Sequence, residues 1–121
     1  MKWISLAFVL FLAGCVTAKK HTEQAALHLQ LAVNLVQQEN YPVALQELLT
    51  AQDLDPSNAD VQAYLGFVYF IRERIDLAEK HFKKAVILNP KFSDAKNNLA
   101  RVYIETGRLK EAELLLKDIL V

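Results

Sequence analysis

The sequence is poor in residues that break regular structure. Its 121 positions hold three glycines and three prolines. A β protein of this size needs more turn residues and alternating strands, so the scarcity points to an all-α chain. Cysteine occurs once, at Cys15, which excludes a disulfide within the chain. Neither sign of charge is in excess, with 14 basic and 14 acidic residues. A general nucleic-acid binder carries a basic surplus, and that class is set aside. Also missing is any nucleophile–base set, phosphate-cradling loop or metal-ligating cluster. His21, His28 and His81 are scattered. We read His28 as a helix-packing residue, and His81, beside Lys80, Lys83 and Lys84, as part of a solvated basic face. The chain is therefore read as a non-enzyme with no cofactor and no metal. The charge, though balanced, is uneven: 20–70 carries six acidic residues and one basic, whereas basic residues lead from Ile71 onward. A solvated surface of mixed sign accounts for that.

What is present begins with an apolar leader. Lys2 supplies a positive start, and Trp3 to Leu12 is apolar apart from Ser5. The run is shorter than the roughly 20 residues of a membrane-spanning helix, and Lys19 and Lys20 close it. A secretory leader with small residues at its cleavage site fits better. Leu12-Ala13-Gly14-Cys15 resembles the lipobox of bacterial lipoproteins. That resemblance implies a signal peptide over 1–14, cleavage before Cys15 and lipidation of the Cys15 thiol and amine. Acyl chains of this kind hold a protein on a bilayer. Val16, where an aspartate favours inner-membrane retention, implies the outer membrane and a periplasm-facing domain. Residues 15–22 are expected to be a short lipidated tether, with Thr22 capping the first helix of a domain over 23–121.

That domain repeats itself. Leu65, Gly66, Tyr69, Ala78, Phe82 and Ala85 recur 34 residues earlier as Leu31, Ala32, Leu35, Ala44, Leu48 and Ala51. They recur 34 later as Leu99, Ala100, Tyr103, Ala112, Leu116 and Ile119. A fixed period of this length marks stacked units that cannot bury their apolar faces alone. Helical spacing predicts three antiparallel helix pairs: 23–38 with 42–54, 59–72 with 75–88, and 93–105 with 109–120. Pro42 suits a helix start and Gly107 a turn. Glu73-Arg74 lacks glycine, so a tighter or more helical turn is expected there.

Leu65-Gly66, Tyr69, Ala78, Phe82, Ala85 and Pro90 resemble the tetratricopeptide repeat (TPR). The bulky aromatic common at the start of that pattern is replaced by His28, Gln62 and Lys96. The resemblance implies a right-handed solenoid of repeats at about 25–58, 59–92 and 93–121, the last incomplete. First helices then line a groove that binds peptides or protein segments. The groove residues would be Leu29, Val33, Val36 and Gln37 from the first repeat, and Ala63, Phe67, Phe70 and Ile71 from the second. Asn97, Arg101, Ile104 and Glu105 would come from the third. The first two sets are mostly apolar, which suits an extended or helical apolar segment with a polar or acidic end near Arg101. The alternative is that Phe67 and Phe70 are core residues or are covered by the leader or tether. The apolar last helix carries no polar cap, which fits a longer array, self-association or a covering partner.

A lipobox followed closely by such repeats resembles the lipoproteins of type IV pilus assembly (the PilF/PilW group). That implies a membrane-tethered assembly factor, a pilotin for an outer-membrane secretin. A general periplasmic adaptor for peptidoglycan enzymes and a structural lipoprotein are the alternatives.

Overall fold

The computed structural model describes Lys2–Val121, with side chains from Gly14 onward. Met1 and the leader side chains before Gly14 lie outside the described residues. Six helices follow one another: α1 (Lys2–Gln37), α2 (Tyr41–Leu54), α3 (Ala59–Ile71), α4 (Ile75–Leu88), α5 (Ser93–Glu105) and α6 (Leu109–Leu120). They pack as three pairs, α1 with α2, α3 with α4 and α5 with α6, and α3 and α5 each pack onto the preceding pair.

The helix ends follow from local chemistry. Pro42 lies in the first turn of α2, where a missing N–H costs nothing. The Asn58 side chain accepts the Val61 N–H at 3.2 Å and caps α3. Each pair turns in the same way. Glu39, Glu73 and Gly107 have φ of 58°, 59° and 76°. After them, the N–H groups of Asn40, Arg74 and Arg108 donate to the Leu35, Tyr69 and Tyr103 carbonyls. This left-handed closure is a common way to end a helix. The Glu73 turn is therefore no tighter than the glycine turn; it holds a glutamate in a conformation that glycine adopts more easily.

One boundary differs from expectation. α1 begins at Lys2, not near Glu23, and residues 15–22 are helical. Thr22 is no cap: its hydroxyl donates to the Ala18 carbonyl at 3.1 Å within the helix. Nothing between Val16 and Thr22 is a helix breaker, so the helix runs on. Among the described residues, no helix is long and apolar enough to cross a membrane.

The core lies at the two junctions between pairs. One cluster joins Ala32, Leu48 and Ala51 to Val61, Leu65 and Val68. The other joins Ala78 and Phe82 to Leu99, Ala100, Val102 and Tyr103, with Ala112 beneath. Leu27 and Leu31, the first-repeat equivalents of Val61 and Leu65, are instead 66% and 47% exposed. The second junction has an ionic staple as well. Arg108 donates to both oxygens of Glu79 and lies 4.4 Å over the Tyr103 ring. That guanidinium, opposed by burial and aided by Lys83, holds the Glu79 carboxyl at about 2.

Candidate protein-binding groove

The helix pairs share a polar position inside their packing. His28 pairs with Glu47 across the first pair. Lys96 pairs with Asp118 across the third. In the middle pair, the His81 Nδ1 meets the Gln62 Oε1 at 2.8 Å, and the Gln62 amide nitrogen donates to the Gln52 Oε1 at 3.0 Å. These are the three positions that lack the bulky aromatic, and polar partners fill the space. His28 packs between helices as expected. His81 does not lie on a solvated face: it is 6% exposed and stacked on Tyr69 with ring centroids 5.4 Å apart. It sits in helical register with Ala78, Phe82 and Ala85, which all face inward. Burial, with Lys80 and Lys84 adding repulsion, lowers its pKa to about 4.

On the face opposite the second helices, α1, α3 and α5 and the loop before α5 enclose an open groove of about 480 Å³. α3 supplies Asp60, Ala63, Tyr64 and Phe67 at helical spacing. α5 supplies Asp94, Asn97 and Asn98, each one repeat beyond its α3 counterpart. Val36 of α1 and Phe92 of the α4–α5 loop complete it. A small number of polar groups beside an apolar floor is the usual make-up of a recognition site.

Of the residues expected in a groove, Val36, Ala63, Phe67 and Asn97 line this one. Leu29 and Phe70 are half-buried against the two core clusters, and Val33 is half-buried too. Phe67 packs on both clusters and also faces the groove, so its two roles coincide. Arg101 is exposed beyond the groove lining, its guanidinium 4.9 Å over the Phe70 ring. Ile71 and Ile104, 42% and 50% exposed, and the exposed Gln37 and Glu105 also lie outside the lining. Asn98, expected beside Asn97 as a polar group of the third helix, lines the groove too; Asp60, Tyr64 and Asp94 were missed, yet the 34-residue shift and the i, i+3, i+4 spacing mark all three. Phe92 lies between helices and carries no periodic signal. Cys15 is exposed with a free thiol. Among the described residues no cluster suited to a metal ion occurs.

Stacked helix pairs with a lined concave groove define a helical-repeat scaffold of the protein-binding class. The tetratricopeptide repeat family model matches residues 29–91, and a second model of that family matches 69–120. The chain belongs to the tetratricopeptide repeat family. It is 34% identical over 110 residues to the ycf37 protein of Pyropia yezoensis, covering 91% of this chain and 56% of that protein. It is 29% identical over 110 residues to the type IV pilus assembly protein PilF of Pseudomonas aeruginosa, covering 84% of this chain and 44% of PilF. The chain thus spans about half the length of these curated relatives. The solved structure of Pseudomonas aeruginosa PilF superposes with a TM-score of 0.75 at 27% identity, over 83% of this chain and 45% of that one. The second TPR of Spaghetti (RPAP3), solved with the HSP90 peptide SRMEEVD, superposes with a TM-score of 0.80 over 85% of this chain and 95% of that one. At 21% identity that likeness concerns the fold.

Proposed function

We propose that the chain is a membrane-tethered scaffold of the bacterial cell envelope, with its α1–α3–α5 groove holding a segment of a partner protein. The observation that carries this reading is the groove itself. Ala63 and Phe67, together with Val36, form an apolar floor that no other part of the described chain covers, and polar groups from α3 and α5 rim it. Exposed apolar surface with such a rim marks a binding face. The finer reading is an outer-membrane lipoprotein facing the periplasm, anchored by lipid on Cys15, that assists assembly of a type IV pilus secretin. Its supports are the leader with Leu12-Ala13-Gly14-Cys15 and the similarity to PilF over most of this chain. Binding protects the partner segment by mass action, and the anchor raises its local concentration at the membrane. On this reading the helical stretch after Cys15 would serve as a short arm: Ala25, the first buried side chain among the described residues, is ten positions beyond Cys15, a rise of about 15 Å.

The test is complementation in a strain lacking the gene. Wild type should incorporate labelled palmitate and restore secretin multimers, and Cys15→Ser should do neither. Equal labelling of the two forms contradicts the anchor. Normal secretin multimers in the deletion strain contradict the pilotin role, and crosslinked cell-wall hydrolases would then favour the adaptor.

A further inference from the structure

The groove carries charge of one sign. Asp60 and Asp94 both line it, one repeat apart, each the second residue of its helix. No lysine, arginine or histidine lines it with them. Neither aspartate takes part in any ion pair among the described residues, whereas Glu79 and Asp118 on the packing faces are each matched by a cation and Glu47 by His28. On α5, Lys96 is paired with Asp118, and Arg101, one turn beyond Asn97, has its guanidinium over Phe70. At a helix start an aspartate also complements the macrodipole. That role fixes the two carboxylates on the backbone but requires neither to face a groove.

We propose that the groove selects a peptide segment that sets an apolar side chain on Val36, Ala63 and Phe67 and a lysine or arginine against Asp60 and Asp94. This inference rests on the groove reading above and names the chemistry of its partner. Opposite charge across an interface steers encounter and fixes register, and like charge excludes wrong partners. An acidic tail of the SRMEEVD type, which the Spaghetti TPR holds, meets two carboxylates here and is disfavoured. Asn97 and Asn98 supply amide groups able to pair with the main chain of an extended segment. With Arg101 further along α5, any anionic end of the segment belongs at the far side of the groove from Asp94.

Three fluorescein-labelled nine-residue peptides with one leucine-rich core, flanked by lysine, glutamine or glutamate, provide the test. They are titrated by anisotropy into the full chain in neutral detergent. The lysine peptide should bind about fivefold more tightly than the glutamine peptide, and the glutamate peptide most weakly. The preference should shrink at high salt and vanish in the Asp60→Asn/Asp94→Asn double variant. Asn97→Lys, at an exposed position, should reverse it toward the glutamate peptide. A glutamate peptide that binds as tightly as the lysine peptide overturns the charge assignment, as does a lysine preference that survives the double variant. Either result leaves the groove reading intact. Failure of all three peptides to bind overturns the groove reading together with this one.

Discussion

The middle repeat and its neighbours occupy the same backbone positions with different chemistry. At the polar position, the third repeat places an ion pair, Lys96–Asp118, and the first a His28–Glu47 hydrogen bond, and the partners of both reach solvent. The middle repeat, covered on both sides, places the neutral pair His81–Gln62, which continues to Gln52 of the first repeat. An ion pair taken wholly out of water loses more in desolvation than it recovers unless its geometry is excellent; a satisfied neutral network avoids that cost. The small-residue position differs in the same sense. Ala32 and Ala100 flank the middle copy's Gly66, whose missing Cβ would sit 2.6 Å from the Phe82 ring. In the outer repeats Leu48 and Leu116 stand where Phe82 does, and alanine fits. Glycine and phenylalanine in one copy, alanine and leucine in the others, are two solutions to one packing problem.

Breaking the middle copy should cost most. Phe82→Ala should lose about 3–5 kcal/mol in urea unfolding. Leu116→Ala, at the equivalent position but 37% exposed, should lose about 1 kcal/mol or less. Similar losses would dissolve the distinction between the copies. Next comes Gly66→Ala, expected to cost about 1–3 kcal/mol by overpacking, although alanine is the better helix former. Combining it with Phe82→Leu should recreate the outer-repeat arrangement. A double-mutant cycle should then show favourable coupling of about 1–2 kcal/mol; additivity would mean that the ring does not set the glycine.

Acid should separate the copies too. With the His81 pKa at about 4 in the folded protein against 6.5 for the free side chain, the unfolded chain binds more protons between those values. The contribution is therefore full above about pH 6.5 and is lost as pH falls toward 4, on the order of 2 kcal/mol. His81→Gln should flatten the stability–pH curve over that window, measured as the difference from wild type. A smaller effect belongs to the turns. Glu73→Gly should add about 1 kcal/mol by removing left-handed strain, and Gly107→Ala should cost about as much. Opposite signs in thermal melts are the expected result.

Much of this was legible in the residues, for reasons that also mark where reading stopped. Five helices begin and end within about a residue of expectation because Pro42, Asn58 and the 34-residue period bracket them. α1 was misjudged at its start because Val16-Thr17-Ala18-Lys19-Lys20-His21-Thr22 is polar without being helix-breaking. Polarity alone does not make a loop. His81 was misplaced because its lysine neighbours drew attention from its own register with Ala78 and Ala85. The groove was half legible: apolar side chains signalled it, while Asp60 and Asp94 become groove residues only where their two helices come together.

The central claim is that partner capture occurs on the first-helix face. A photo-crosslinking residue placed at Ala63, within the groove, or at Ile87, 77% exposed on a second helix, tests it directly in living cells. The account predicts a discrete protein adduct from position 63 and none from 87. An adduct from 87 with none from 63 would contradict it.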